Sequence, residues 1–166
     1  MEREKEIEIQ TRLGLRRIDT EKIITFPHGL AGFEQEHEFI LLQIRPEAPM
    51  LILQSVSTPA VGLLVADPFC FLPDHKIVVG DAEQQMLGIG QREDAAYLVT
   101  VTIPAGQPEK AALNLAGPIV INHRQHIGMQ VPQNCDGPTQ VNMHTLKPVS
   151  PEEQAETELQ IKGGDA

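Results

Sequence analysis

The sequence predicts an all-β protein, a small antiparallel β-barrel-like or sandwich domain with one or two short helices. Three observations support this. The apolar segments are short and end at Pro or Gly. They recur at a spacing of about 8–12 residues, which is typical of antiparallel sheets. Helix signals are sparse. The chain has 166 residues, of which 41% are apolar and only 4% aromatic, so we expect a largely aliphatic core.

Residues 6–15 alternate between apolar and polar side chains, which predicts one half-buried strand. A helix is predicted after residue 81, with Asp81 as its N-cap, and a helical turn is predicted from Pro108 within 108–115. The other predicted strands are 22–26, 39–44, 50–56, 61–67, 75–80, 95–103, 118–122 and 127–131.

The strand pattern stops at Pro132, which divides the chain into a β-barrel domain over 1–131 and an acidic, irregular C-terminal extension over 132–166. Residues 148–166 hold five acidic side chains against one basic side chain, Lys162. We expect this segment to form a short helix with a partner, or to remain a solvated tail.

The formal net charge of -10 repels phosphate backbones and anionic membranes, so neither direct nucleic-acid binding nor membrane binding is expected. The same charge attracts a basic protein partner, although it also serves solubility alone. The chain opens with charged residues, and no apolar run is long enough to cross a bilayer. These features predict a cytoplasmic protein, monomeric when free.

The stretch IITFPHGLAGFE, residues 23–34, places two glycines three residues apart. A phosphate-binding loop needs a helix behind it and usually a lysine, and neither follows here. We therefore predict a tight turn in which Gly29 and Gly32 supply positive φ angles. In that turn, Leu30 and Phe33 fold back onto the core.

Sequence motifs for catalysis or metal binding are weak. Ser55, Asp67 and His75 make a triad on paper, but no Gly-x-Ser-x-Gly nucleophile elbow exists. The histidines of HRQH lack the paired spacing of a zinc site. The sequence therefore predicts no enzyme, no cofactor and no metal, with a small metal-binding β-barrel enzyme as the minor alternative. That alternative would use His123, His126, Cys135 and His144.

Six short motifs follow one another along the chain: ITFPHGLAGFE (24–34), LQS (53–55), ADPF (66–69), VTIP (101–104), NLAGPIVIN (114–122) and MQV (129–131). Taken together in this order and spacing, they resemble the FliW family of bacterial flagellar assembly factors. The resemblance runs from about Thr11 to Val131 and departs from the family pattern at two positions. Ala31 stands where the family usually has proline, and Gly117 is added before the following proline.

This resemblance implies a β-barrel-like domain without enzyme activity that binds flagellin in the cytoplasm. When freed by flagellin export, such a protein binds CsrA, the RNA-binding translational repressor, and antagonises it allosterically. Flagellin synthesis is thereby coupled to secretion. The alternative is a flagellin-binding chaperone without a regulatory role.

Two sets of residues are expected to contact these partners. An apolar groove for an amphipathic flagellin helix is predicted at Phe33, Phe69 and Phe71, whose alternative role is core packing. Acidic residues are predicted to contact the basic repressor. The acidic set is Asp67, Asp81, Glu83, Glu93 and Asp94, and then Glu152, Glu153, Glu156 and Glu158 of the extension.

Overall fold

The structure is a computed structural model that describes residues 5–44, 50–133 and 139–143. Besides the strands and helix given below, it contains four single 3-10 turns, at Thr20–Lys22, Pro68–Cys70, Arg92–Asp94 and Pro108–Lys110. The strands and the helix are β1 (Glu6–Thr11), β2 (Gly14–Asp19), β3 (Ile24–Thr25), β4 (Glu38–Gln43), β5 (Met50–Ser55), β6 (Gly62–Ala66), α1 (Asp81–Leu87), β7 (Ala95–Thr102), β8 (Ala112–Asn122), β9 (Ile127–Gln130) and β10 (Gln140–Asn142).

Seven of these strands close into a barrel. Neighbours pair in the order β3-β4-β5-β6-β7-β8-β9, and β9 returns to pair with β3. Every pairing in the ring is antiparallel except β3 with β9, which is parallel and joins only Thr25 to Ile127. The all-β, barrel-like fold predicted from the sequence is confirmed. No described helix is long and apolar enough to cross a membrane.

The main hydrophobic core lies inside this ring, because every strand from β3 to β8 contributes at least one side chain to the same cluster. Phe26 and Phe39 meet edge to face in it, with ring centroids 5.3 Å apart. Each large apolar side chain buried there stabilises the fold by about 1.5–3 kcal/mol. The cluster comprises Ile24, Phe26, Leu30, Phe39, Leu53, Val65, Leu98, Ile119 and Ile121.

Two smaller clusters cover the outside of the barrel. One joins Phe71 to outward-facing residues of β7 and β8 and to Met143, which follows β10. The other docks α1 through Leu87, which packs with Val120 and Val131. Opposite faces of one strand thus serve different cores, as the alternation of side chains along a strand requires.

Strand β8 is much longer than the predicted 118–122. Its first half lies between β7 and β10, and its second half lies between β7 and β9. The register with β7 shifts between Leu98 and Thr100, opposite the segment that holds Gly117 and Pro118. Because this irregular segment interrupts the β7 ladder, it can accommodate a proline. The helical turn predicted within 108–115 is limited to Pro108–Lys110, and strand begins at Ala112.

The single strand predicted over 6–15 is wrong: the chain reverses at Arg12 and Leu13, so that β1 and β2 form a hairpin. Thr11 fixes the turn, since its Oγ1 donates to the Gly14 carbonyl at 2.7 Å and accepts from the Leu13 N–H at 3.0 Å. The buried Gln54 side chain ties the hairpin to the barrel by accepting the Arg12 N–H at 3.0 Å.

Other predicted elements need smaller corrections. Residues 75–80 are not a strand, and the strand predicted over 22–26 is reduced to the two residues of β3. Asp81 is the first residue of α1 rather than its N-cap, which is Gly80 and carries no side-chain cap. β10, which pairs with β8, is a strand that the sequence prediction lacked.

Candidate functional site

The turn over 27–34 has the predicted geometry, with φ of 65° at Gly29 and 85° at Gly32. Leu30 and Phe33 exchange two backbone hydrogen bonds of 3.3 and 2.7 Å. Leu30 is buried in the barrel core, and Phe33 packs against that core. Both predictions for this turn are confirmed, and the turn packs on the barrel core through Leu30 and Phe33.

Glu36 fastens the same turn to the loop after β5. Its Oε2 accepts from the Ser55 Oγ at 2.8 Å, and its Oε1 accepts from the Thr58 Oγ1 at 2.6 Å. These bonds, with Thr58 contributing most, hold the pKa of the Glu36 carboxyl below its usual value. Ser55 also accepts the Thr58 N–H at 3.1 Å. The Ser55 hydroxyl therefore stabilises a turn. It hydrogen-bonds Glu36 and Thr58 rather than His75, its partner in the triad considered from the sequence.

A groove of about 350 Å³ opens between α1, β7 and the segment 76–80. Val78 in its lining is 72% exposed. Tyr97 lines the groove, and the Phe69 ring packs edge-on against Tyr97 with centroids 5.9 Å apart. The lining residues are Ile77, Val78, Val79, Gln84, Ile89, Gly90, Gln91 and Tyr97.

Local hydrogen bonds fix the positions of the elements that line this groove. The Asn122 side-chain amide donates to the Leu87 carbonyl at 2.8 Å, which fixes the end of α1 on β8. Gly88, with φ of 70°, ends α1 in the left-handed conformation. Gln84 donates from its amide to the Val79 carbonyl at 2.8 Å. The helix and the extended segment are thus joined by a side-chain hydrogen bond rather than by a strand pairing.

Four of the predicted acidic residues lie within three residues of the groove's lining residues along the chain, and we call these four the rim. Asp81 and Glu83 lie in the first turn of α1, and Glu93 and Asp94 lie in the 3-10 turn that follows the lining residue Gln91. Asp94 has a structural role, because it accepts the Gln91 N–H at 3.1 Å and lies 3.6 Å from the Arg124 guanidinium. In the described structure, the other three carboxylates have no ion-pair partner.

Asp67 lies beyond the Phe69–Tyr97 edge of the groove. Its Oδ1 accepts the Phe69 N–H at 2.8 Å and caps the 3-10 turn. The residue is exposed overall, but its carboxyl group lies against that turn, where desolvation raises its pKa. Asp67 is therefore a capping residue as well as a candidate contact. The predicted contacts Glu152, Glu153, Glu156 and Glu158 lie outside the described residues.

The three phenylalanines predicted to form one groove are placed apart. Phe33 packs against the barrel interior, whereas Phe71 is only 5% exposed and belongs to an outer core cluster. Phe69 packs against Tyr97, which lines the groove together with Val78. From the sequence, Tyr97 and Val78 were assigned to strands and to no binding role, and their only sequence signal is an apolar segment next to acidic residues.

The histidines considered for metal binding serve the β8–β9 turn. His123 Nε2 lies 3.1 Å from the Glu93 carbonyl, and His126 adopts a positive φ of 54°. Cys135 and His144 lie outside the described residues. Within the described ranges, no three His, Cys, Asp or Glu side chains come together as a metal site.

These observations place the chain among small closed β-barrels with an acid-rimmed apolar groove. The family model described as FliW protein matches residues 8–144. The chain belongs to the FliW family of flagellar assembly factors.

Individual relatives agree with the family match. The flagellar assembly factor FliW of Desulfovibrio desulfuricans is 63% identical over 158 residues, covering 94% of this chain and 95% of the relative. The Nitratidesulfovibrio vulgaris protein of the same name is 59% identical over 145 residues, covering 87% and 84%. A crystal structure of the flagellar assembly factor FliW has a TM-score of 0.76 and 34% identity, covering 82% of this chain and 96% of that one.

Proposed function

We propose that this chain acts without catalysis in the cytoplasm, where it binds flagellin and, once flagellin is exported, binds the translational repressor CsrA. Binding antagonises the repressor from beside its RNA site, so the antagonism is allosteric, a coupling free energy of about 1–3 kcal/mol. Flagellin synthesis then follows secretion. Membership of the flagellar assembly family supports the setting of this proposal.

The observation that carries the proposal is the set of three carboxylates around the groove, at Asp81, Glu83 and Glu93, which lack ion-pair partners within the described residues. A repressor that binds RNA presents Lys and Arg, because it must neutralise phosphates. Charge complementarity of this kind speeds association and fixes orientation. The chain's net charge of -10 adds a long-range attraction in the same sense.

We place the flagellin contact at the apolar side of the same groove, where Tyr97 and the exposed Val78 line the groove and Phe69 packs against Tyr97. This revises the sequence prediction, because Phe71 is buried and Phe33 packs elsewhere. An amphipathic helix can lay its apolar face on such a surface. The two partners would then occupy adjoining parts of one groove and exclude each other.

A competition experiment tests the proposal. The complex of the full chain with the repressor is purified and titrated with flagellin, and size-exclusion chromatography follows the released repressor. We expect flagellin to displace the repressor stoichiometrically. If the chain forms a complex with flagellin but none with the repressor, the chaperone alternative replaces the proposal. If it forms a complex with neither protein, the proposal is wrong.

The position of the repressor contact is tested by neutralising the rim with Asp81→Asn, Glu83→Gln and Glu93→Gln together. Three exposed charge pairs are worth about 0.2–1 kcal/mol each, so repressor affinity should fall about tenfold at low salt. The difference should shrink at high salt because exposed charges are screened.

A matched variant controls for the change in net charge. It carries Glu21→Gln, Glu38→Gln and Glu109→Gln, three exposed acids that lie on β4 and on 3-10 turns outside the groove. Repressor affinity should stay within about twofold of the unmodified chain, apart from the small effect of net charge. Equal losses in both triple variants would show that only net charge matters and would remove the rim from the proposal.

A further inference from the structure

The segment 76–80 is extended, and among the described residues the backbone of Val78 and Val79 hydrogen-bonds only with glutamine side chains. The segment runs without a turn or bend and pairs with no described strand. On one edge, Gln133 accepts the Val78 N–H through Oε1 and donates to the Val78 carbonyl through Nε2, both at 2.8 Å. On the other edge, Gln84 donates to the Val79 carbonyl at 2.8 Å.

The edge that faces away from Gln133 is the incomplete one. Along an extended chain, the N–H and C=O of successive residues point to opposite sides. Those of Ile77 and Val79 therefore point away from Gln133. Within the described structure, the N–H groups of Ile77 and Val79 donate no hydrogen bond, and the Ile77 carbonyl accepts none. Two donors and one acceptor are thus aligned and unfilled.

The side chains of this segment have the character of a strand. Ile77 and Val79 are half-buried and line the groove, whereas Val78 between them is 72% exposed. A β-branched, apolar segment with an unpaired edge is a template for the addition of another strand. Strand addition gives affinity through backbone bonds and specificity through alternate side chains.

The charges around the edge decide which segment fits. Asp74 and Lys76 carry opposite charges, and Asp94 is paired with Arg124. Among the described residues, Asp81, Glu83 and Glu93 have no ion-pair partner. The chain's own residues 148–166 carry five acids against one base, and a second copy brings a net charge of -10. Both occupants are repelled by the rim, so a basic segment is the one that fits.

We propose that the Ile77–Val79 edge takes an extended antiparallel segment of the basic partner, in which Lys or Arg alternates with β-branched residues. The β-branched side chains enter the groove beside Ile77 and Val79, and the basic side chains face the rim carboxylates. Gln84 yields the Val79 carbonyl to the incoming strand. The inference rests on the proposed function in one respect, that a basic partner binds at this groove.

The geometry gives a test in which the protein itself is left unchanged. In an antiparallel pairing, residues opposite Ile77 and Val79 point their N–H groups at the edge. A heptapeptide of alternating lysine and valine is measured by fluorescence anisotropy against the full chain. Two N-methylated forms are compared with it, one methylated at its valines and the other at its central lysines. The two forms have the same net charge and differ in which backbone edge is blocked.

We expect methylation at the valines to weaken binding at least tenfold, because it removes two backbone hydrogen bonds worth about 0.5–1.5 kcal/mol each and adds a steric clash. Methylation at the lysines should change affinity by less than about threefold, because those methyl groups point away from the edge. Equal affinities for the two forms, the reverse order, or no binding by the unmodified peptide would overturn the proposal.

The repressor arm separates this inference from the function on which it rests. If the repressor binds and the two methylated peptides are equivalent, the proposed function stands and strand addition fails. If the peptides differ as expected and the repressor does not bind, the edge is real and the assigned partner is wrong. The rim-neutralised variant should weaken the unmodified peptide while keeping the difference between the methylated forms, since the edge itself is unchanged.

Discussion

Gly29 and Gly32 form a matched pair for testing why the turn over 27–34 needs glycine. Both have positive φ, at 65° and 85°. A Cβ added at Gly29 would lie 2.6 Å from the Phe33 carbonyl oxygen and 2.7 Å from the Glu34 Cα and carbonyl oxygen. A Cβ added at Gly32 would meet nothing within 4 Å. Alanine at either position would therefore adopt a strained backbone conformation, but only alanine at position 29 would also clash with neighbouring backbone atoms.

The cost of each substitution follows from these contacts. A left-handed backbone conformation destabilises alanine by about 1–2 kcal/mol. Replacing glycine also reduces the conformational entropy of the unfolded chain, which stabilises the folded protein by about 0.4–1 kcal/mol. Gly32→Ala should therefore destabilise by roughly 0.5–1 kcal/mol. At Gly29 the clashing atoms are backbone, so relief breaks the two Leu30–Phe33 hydrogen bonds as well. At about 1 kcal/mol each, they bring the loss to roughly 3 kcal/mol.

Thermal and urea unfolding followed by circular dichroism measure both variants. For a chain of this size, 1 kcal/mol shifts Tm by about 2–4 °C, so Gly29→Ala should lower it by about 10 °C and Gly32→Ala by only a few degrees. Gly106→Ala is the control, because Gly106 has φ of 73° with nothing within 4 Å of its added Cβ. It should behave like Gly32→Ala. A loss at Gly29 no larger than at Gly32 would refute the clash as the cause.

Three further changes test the contacts described above. Glu36→Gln should lower the free energy of unfolding by about 1 kcal/mol at neutral pH. The pKa of Glu36 in the folded protein lies below its usual 4.5. The difference in unfolding free energy between the variant and the unmodified chain, measured by urea titration, should therefore vanish as the pH falls through that folded pKa. Gln54→Leu should cost about 2–3 kcal/mol and speed amide exchange in β1, since the Arg12 N–H loses its acceptor; unchanged exchange would contradict the anchoring role. Phe71→Ala should cost about 3–5 kcal/mol in unfolding free energy, clearly more than Phe69→Ala, and equal losses would contradict the difference in burial.

Much of the barrel could be predicted because its strands carry local signals. β4, β5, β6, β7 and β9 coincide with short apolar runs bounded by Pro or Gly, within a residue or two at each end. The positive φ angles of the 27–34 turn followed from glycine chemistry alone. Such features depend on neighbours in sequence, so the sequence contains the information needed.

The secondary-structure predictions were wrong where contacts between residues distant in sequence determine the local structure. Residues 75–80 have the composition of a strand, but no strand lies beside them in the described structure. The alternation over 6–15 continues through the Arg12–Leu13 turn, so the period gave no sign of a reversal. Pro118 marked a break within β8, although the register shift there accommodates it.

The candidate site was only partly predictable for a related reason. The acids beside the groove are neighbours in sequence or separated by one short helix, so grouping them required little knowledge of the fold. Phe33, Phe69 and Phe71 were grouped because aromatic residues are rare in this chain. Composition alone does not show which side chains lie close together in the fold. Which face of the chain Phe69 and Phe71 occupy depends on a 3-10 turn that places one beside Tyr97 and the other beneath an outer cluster.

The strand with the fewest paired positions in the barrel is β3, which pairs with β4 at two positions and with β9 at one. β3 and β9 are joined by a single residue pair and by one bond of 2.9 Å from the Thr25 N–H to the His126 carbonyl. Local opening begins where the fewest bonds must break. We therefore expect local opening to begin at β3, and the amide proton of Thr25 should exchange with solvent sooner than those in the middle of β5, which pairs with β4 and β6 at five positions each.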